Sequence, residues 1–263
     1  MTLDLRSTDC LDLNGMPSLQ DGSIDLTVTS PPYDGLRKYQ GYTFDFEGIA
    51  KELYRVTKPG GVVVWVVGDA TVKGSETGTS FRQALRFMDL GFKLHDTMVY
   101  AKANPAPQFK VGRYMQSFEY MFVLSKGACV SCNYLMQDTL HPGARNSSAA
   151  MRLPDGKIGI LTKGHERVKA AKVRTNVWFY FVGGGITTRD KGAFKHPAIF
   201  PEQLAADHIL SWSNPGDLVL DPMCGSGTTC KMALLHGRRA IGMDISAEYI
   251  EIARERCAKV VEN

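Results

Sequence analysis

A chain of 263 residues with 44% hydrophobic side chains is long enough to bury a sizeable α/β core. Its net charge of +4 is modest, although unevenly spread. No apolar stretch is longer than Val62 to Val67, far short of a membrane span, and no signal-like run appears, so a cytoplasmic protein with no membrane partner is expected.

Residues 3 to 9 read as a strand ending at Asp9-Cys10, where Asp9 is placed to cap a helix over Leu11 to Leu19. Ile24 to Thr29 alternates apolar and polar residues and is rich in β-branched side chains, so it reads as a strand running into Thr29-Ser30-Pro31-Pro32-Tyr33. The prolines stiffen the exit from the sheet and lack N–H groups, which leaves a segment rich in acceptors. Ser30 adds a hydroxyl, and Tyr33 offers a flat face for stacking, worth roughly 1–3 kcal/mol per base at single-stranded sites. Acceptors beside a stacking face suit a planar ring bearing an amine. An ordinary proline turn is the plainer alternative, and only a second site can decide. The polar loop from Asp34 to Tyr42 carries Arg37 and Tyr39, placed either to grip phosphate or to close over the motif.

Phe46 to Thr57 has helical spacing and stops at Lys58-Pro59-Gly60-Gly61, and Val62 to Val67 follows as a strand buried on both faces, so the sheet is expected to be parallel at its centre. Thr79 to Leu90 is the next helix. Lys93 to Tyr100 and Ser117 to Leu124 are strands with a short connection, which predicts an antiparallel hairpin at one sheet edge.

Residues 126 to 195 break this rhythm. Between 140 and 195, eleven Lys and Arg face three acids, a surplus of eight that leaves the rest of the chain at −4. Such a run often only solvates a surface, but beside a site for a planar base it is the footprint of a polyanion partner. Arg145, Arg152, Lys163, Arg167, Lys172 and Arg174 are the candidate contacts. Cys129-Val130-Ser131-Cys132 is a lone pair that reads as half-buried thiols rather than as a zinc site completed by His141, and no metal is expected. The six cysteines form no disulfide framework.

His196-Pro197-Ala198-Ile199-Phe200-Pro201 opens a helix over Glu202 to Trp212, as a capped start or as the wall of a pocket. Asp217 to Asp221 is a short strand, Pro222 to Gly227 a glycine turn, and Thr228 to His236 a helix, an arrangement that lets backbone amides approach a ligand. Arg239 to Asp244 is another strand whose terminal acid stands where nucleotide folds bind ribose hydroxyls. The turn has no Gly-Lys-Ser/Thr ending, so it is not a P-loop. Ala247 to Val260 is an amphipathic helix.

Thr29-Ser30-Pro31-Pro32-Tyr33 with Gly35-Leu36-Arg37 and Tyr39, followed by Asp221-Pro222-Met223-Cys224-Gly225-Ser226-Gly227-Thr228-Thr229, resembles the DNA methyltransferases that methylate exocyclic amines with S-adenosylmethionine. The order is that of their permuted β-group, with the catalytic motif first. Met223 stands where the family usually has Phe and keeps an apolar contact. The resemblance implies a Rossmann-like, doubly wound, seven-stranded α/β sheet, circularly permuted. Its catalytic half would be residues 1–125, its target-recognition insertion 126–195 and its cofactor half 196–263.

It further implies catalysis by Ser30, Pro31, Pro32 and Tyr33. S-adenosyl-L-methionine would be held by Asp9 and Cys10, by His196, Pro197, Ala198 and Phe200, by Asp221, Pro222, Met223, Gly225, Ser226, Gly227, Thr228 and Thr229, and by Asp244 and Ile245. Arg37, Tyr39 and the basic residues named above would meet double-stranded DNA. Dimerisation is common among the enzymes it resembles, so the resemblance leaves room for a homodimer and for a cognate restriction endonuclease as partner. The reaction implied is in-line displacement of the sulfonium methyl by the amine of a flipped-out base. In the enzymes it resembles Ser-Pro-Pro-Tyr leans toward cytosine N4, so that base is expected, with adenine N6 the alternative. Carbon methylation is disfavoured, because the family that performs it uses a Pro-Cys nucleophile and no cysteine here follows a proline. An RNA or protein amine methyltransferase would carry an Asn-first motif after the cofactor turn. A non-catalytic DNA-binding protein would not need intact Ser30, Tyr33, Gly225, Gly227 and Asp244. If this reading holds, strands 217–221 and 24–29 must be neighbours, with both motifs facing one cleft.

Overall fold

The computed structural model describes residues 2–32, 44–105, 107, 112–144, 149–161, 167–196 and 198–261. In chain order the elements are β1 (Leu3–Ser7), β2 (Ile24–Thr29), α1 (Phe46–Val56), β3 (Thr57–Val67), the small hairpin β4–β5 (Thr71–Val72, Ser75–Glu76), α2 (Thr79–Asp89), β6 (Lys93–Lys102) and β7 (Phe118–Ser125). Then come β8 (Met136–Asp138), β9 (Ala149–Arg152), β10 (Ile158–Leu161), β11 (Ala171–Val173), β12 (Val177–Tyr180), α3 (Glu202–Trp212), β13 (Leu218–Asp221), α4 (Thr228–Leu235), β14 (Arg239–Asp244) and α5 (Ala247–Val261).

One mixed sheet carries the order β1-β14-β13-β2-β3-β7-β6-β12. The C-terminal strands β13 and β14 thus lie between the N-terminal β1 and β2, all pairing parallel. Val62 to Val67 are buried throughout, as an unbroken β-branched run at a sheet centre requires. On one side α1 contributes buried Ile49, Ala50, Leu53 and Val56. The rings of Phe46, Trp65, Phe87 and Phe92 meet there edge to face.

Three features differ from the sequence reading. The sheet has eight strands, because Val177–Tyr180, inside the range read as insertion, pairs parallel with β6 and buries Trp178 and Tyr180 on alternate positions. The β6–β7 pair is antiparallel, as its short connection requires, but β12 rather than the hairpin forms the edge. Residues 11–19 form only one turn of 3-10 helix, Met16–Ser18. The amide of Met16 donates to the Cys10 carbonyl at 2.8 Å, closing a compact loop instead of a helix. A Cβ on Gly15 would come within 2.5 Å of the Asp9 carbonyl oxygen, so the loop needs glycine there.

The chain divides into two compact units, Met1–Asn133 with Asn176–Asn263, and Tyr134–Thr175. The smaller holds two antiparallel strand pairs, β9–β10 and β8–β11. All six cysteines are free thiols. No helix among the described residues is long and apolar enough to cross a membrane.

Candidate active site

Strands β2 and β13 pair through Val219 with Leu26 and Leu220 with Thr27, so their carboxyl ends emerge side by side. There the Thr29 hydroxyl donates to Asp221 Oδ1 at 2.8 Å, a buried bond between residues 192 apart in sequence. The Thr229 hydroxyl donates to the Val28 carbonyl at 3.1 Å. The Ser-Pro-Pro segment and the glycine turn are therefore fastened together at their roots. Asp221 is only 2% exposed, and its Oδ1 also accepts from the Met223 amide at 3.2 Å. Burial pushes its carboxyl up to about 6, against the opposing pull of the two threonine hydroxyls.

The turn after β13 is built for glycine. Gly225 has φ of +48°, and a Cβ there would lie 2.7 Å from His196 Nε2. Gly227 has φ of +77°, and its Cβ would lie 2.6 Å from that of Ala253. Only glycine adopts both conformations without strain and leaves that space. The Gly225 amide donates to Asp244 Oδ2 at 3.0 Å and the Ser246 amide to Asp244 Oδ1 at 2.9 Å. Burial raises the Asp244 carboxyl while these two amides oppose the rise. A carboxylate has about four acceptor positions, so Asp244 retains capacity for hydroxyl donors.

His196 reaches this turn from the segment before α3. Its Nδ1 accepts from the Ala198 amide at 3.2 Å, and its ring stands edge-on to Tyr249, with centroids 4.4 Å apart. Behind the turn lies a group that the sequence reading missed. Arg256, on α5, is 1% exposed. Its Nη1 donates to the Ser226 carbonyl at 2.5 Å and the Thr228 hydroxyl at 3.2 Å, its Nε to Asp190 at 3.1 Å and its Nη2 to Glu202 at 2.7 Å. Lys231 Nζ donates to the same two carboxylates at 2.7 and 2.8 Å. Burial pushes Asp190 and Glu202 up, but the two cations outweigh it and hold both below the usual carboxylate range. The signal was present: Arg256 falls on the face that buries Ile252 and Ala253, where an unpaired cation could not remain.

A family model described as DNA methylase matches residues 24–255. The chain belongs to this N6/N4 DNA methylase family. The methylase is 55% identical over 243 residues to the orphan methyltransferase M.BamHII of Bacillus amyloliquefaciens, covering 91% of this chain and 90% of that protein. Its fold matches the cytosine-N4-specific PvuII DNA methyltransferase with a TM-score of 0.71 at 21% identity, over 100% of this chain and 91% of the other. It also matches the M1.HpyAVI–SAM complex with a TM-score of 0.59 at 20% identity, over 97% and 100%.

Within the methylase, Ser30 lies half-buried just past β2, with Pro31 buried and Pro32 half-buried after it. The structure brings Thr29, Asp221, Met223, Gly225 to Thr229, Asp244, His196 and Ala198 into one connected network or its immediate neighbours. Pro222 stands between Asp221 and Met223 in the same turn, Phe200 is half-buried, and Ile245 is exposed. Asp9 Oδ1 accepts from the Leu11 amide at 2.9 Å, a local turn that opens the compact loop, so the helix it was expected to cap is absent. The Cys10 side chain belongs to the core, and burial pushes its thiol up to about 12. In the smaller unit Arg152, Arg167 and Lys172 are exposed and Arg174 is half-buried, with Arg167 Nη1 donating to the Gly143 carbonyl at 2.8 Å. Tyr33, Arg37, Tyr39, Arg145, Lys163 and Pro197 lie outside the described residues.

Proposed function

We propose that this methylase transfers a methyl group from S-adenosyl-L-methionine to N4 of a cytosine flipped out of double-stranded DNA. The observation that carries the reading is the buried Thr29–Asp221 hydrogen bond, which roots the Ser-Pro-Pro segment and the glycine turn side by side. The glycine turn suits a nucleoside-type cofactor: two positive-φ glycines clear the space beside His196, and Asp244 stands at the end of β14 with acceptor capacity for ribose hydroxyls. When bound, S-adenosyl-L-methionine supplies an electrophilic methyl group on a sulfonium. Gly225, Asp244 and His196 would hold it, and relatives in the same fold class include a complex with this cofactor.

The chain's own contribution is to make a poor nucleophile reactive. A base amine is conjugated with its ring. The Ser30 hydroxyl and the Pro31 carbonyl, accepting from that amine, draw its hydrogens from the ring plane and localise its lone pair. Tyr33 stacks on the extruded base. Holding the amine in line supplies most of the remaining acceleration, since proximity is worth roughly 7–11 kcal/mol. Electrostatic attraction comes from the unit Tyr134–Thr175, where eight Lys and Arg face three acids, a surplus of five that exceeds the +4 of the whole chain. The N4 assignment is supported by Ser-Pro-Pro-Tyr and by the cytosine-N4-specific neighbour. The orphan status in the name of the Bacillus relative supports a methylase that acts without a dedicated nuclease.

The test is to incubate the protein with unmodified DNA and labelled cofactor, digest to nucleosides, and identify the product by mass spectrometry. N4-methylcytosine is expected. N6-methyladenine alone would overturn the base assignment, and no labelled nucleoside on any genomic DNA would overturn the activity.

A further inference from the structure

Away from the methyl-transfer site, three metal-binding side chains converge. His95, Cys129 and Cys132 place one ligand atom each within 4.8 Å of one another. The two thiols are free, with Sγ atoms 2.8 Å apart. The histidine comes from a different part of the chain, and the backbone aims it there. In the β6–β7 ladder Leu94 pairs with Leu124 and Asp96 with Val123, so His95 is the extra residue of a β-bulge. Bulges re-aim a side chain out of its regular alternation. The His95 ring also packs edge-on against Trp212, with centroids 5.4 Å apart.

The cysteine segment is pinned on both sides. The Val130 amide donates to the Gly60 carbonyl at 3.2 Å, and Gly60 has φ of +84°, with a Cβ there meeting Val130 at 2.6 Å. The Asn133 amide donates to the Ser211 carbonyl at 2.8 Å, its side chain donates to the Ser213 carbonyl at 3.1 Å, and Asn214 Nδ2 donates to the Ser131 hydroxyl at 3.0 Å. These restraints fix the backbone that carries the two sulfurs before any ion arrives, so little ordering entropy opposes binding.

From this geometry we infer that His95, Cys129 and Cys132 hold one zinc ion that clips the 129–132 segment to β6. Zinc prefers thiolate and imidazole ligands in a tetrahedron, with Zn–S of about 2.3 Å and Zn–N of about 2.0–2.1 Å. Those bonds at the tetrahedral angle put two sulfurs about 3.8 Å apart and sulfur and nitrogen about 3.6 Å apart. The sulfurs need to separate by about 1 Å from their present 2.8 Å, a side-chain rotation rather than a backbone movement. Both thiols lose their protons to solvent on binding, and the two thiolates then cancel the charge of the ion. No fourth side chain joins the group among the described residues, and His95 is exposed, so the fourth position is open to solvent. The chain enters the basic unit at Tyr134, two residues beyond Cys132, so the clip anchors the point from which that unit departs.

The full-length protein, purified without a chelator or a histidine tag, tests this by elemental analysis. The expected result is about one zinc per chain in the wild type and less than a tenth of that in the Cys129→Ser/Cys132→Ser variant, with His95→Ala losing its zinc faster to a competing chelator. Cobalt added to the metal-free wild type should give a thiolate-to-cobalt charge-transfer absorption that the double variant lacks. Removing zinc should lower the wild-type melting temperature and leave the double variant unmoved. Circular dichroism establishes that each variant is folded. The inference is overturned by a wild type that neither retains zinc nor shows the cobalt absorption, or by a double variant that retains as much zinc. It is equally overturned if the denatured, unreduced wild type titrates four thiols instead of six, since the pair would then be a disulfide.

Discussion

Replacing Arg256 with Met removes the cation behind the glycine turn while keeping most of the volume. Arg256 is 1% exposed and carries bonds to Asp190, Glu202, Ser226 and Thr228. Breaking a buried pair by removing one partner costs about 3–5 kcal/mol, because the other charge stays behind. Lys231 still reaches both carboxylates, which places the expected loss near the lower end, about 3 kcal/mol. At about 2–4 °C per kcal/mol for a domain of this size, the melting temperature should fall by roughly 6–12 °C. The Ser226 carbonyl also loses its charged donor, so the turn is held less firmly. Calorimetry at a temperature where both proteins are folded should find S-adenosyl-L-methionine about tenfold weaker, or 1.4 kcal/mol. Arg256→Lys should recover part of the stability but little of the affinity, since a single ammonium cannot span the carboxylates and the carbonyl together. A variant that melts within about 2 °C of the wild type and binds cofactor equally would refute the role given to Arg256.

Four further outcomes are expected. Asp190 and Glu202 have folded values held below the usual carboxylate range, so the stability they contribute is complete above their ordinary values of 3.8 and 4.5 and is lost as pH falls through the lowered folded ones; urea midpoints should drop on that limb, and less so in Arg256→Met. Asp221 works in the opposite sense: with its folded value raised to about 6, its contribution is complete below the ordinary value of 3.8 and is lost as pH rises through 6. Asp221→Asn keeps an acceptor for Thr29 and should therefore gain up to about 3 kcal/mol on the wild type between pH 4 and pH 8, measured by urea unfolding at both. Gly225→Ala must place a side chain at φ of +48° and 2.7 Å from His196 Nε2, costing about 1–3 kcal/mol and abolishing measurable cofactor binding in calorimetry. Tyr33→Ala should lower turnover far more than cofactor affinity, with steady-state rates and calorimetry compared on the same preparation.

Much of the fold was legible because the signals that specify it are local. The alternation of Ile24 to Thr29, the β-branched run at Val62 to Val67 and the proline start before Glu202 each depend on residues a few positions apart, and the corresponding elements form where expected. The neighbouring of β2 and β13 was also legible, because the two motifs require a shared crevice at adjacent strand ends. Where a long-range partner outweighs local preference, the reading failed. Val177–Tyr180 is a strand only because β6 offers an open edge, and Asp12 to Gly15 turns back on Cys10 where spacing alone suggested a helix.

The amino-acid sequence by itself determined most of the element types, the two motifs and their order, and the basic surplus that lies between them. Only the tertiary structure decided that Arg256 braces the glycine turn, that Asp221 is tied to Thr29, and that His95 stands beside Cys129 and Cys132. The reason is physical: hydrophobic periodicity and turn chemistry are written over a few residues, whereas the partner of a buried charge or a thiol pair is chosen by whichever distant segment folding brings within reach.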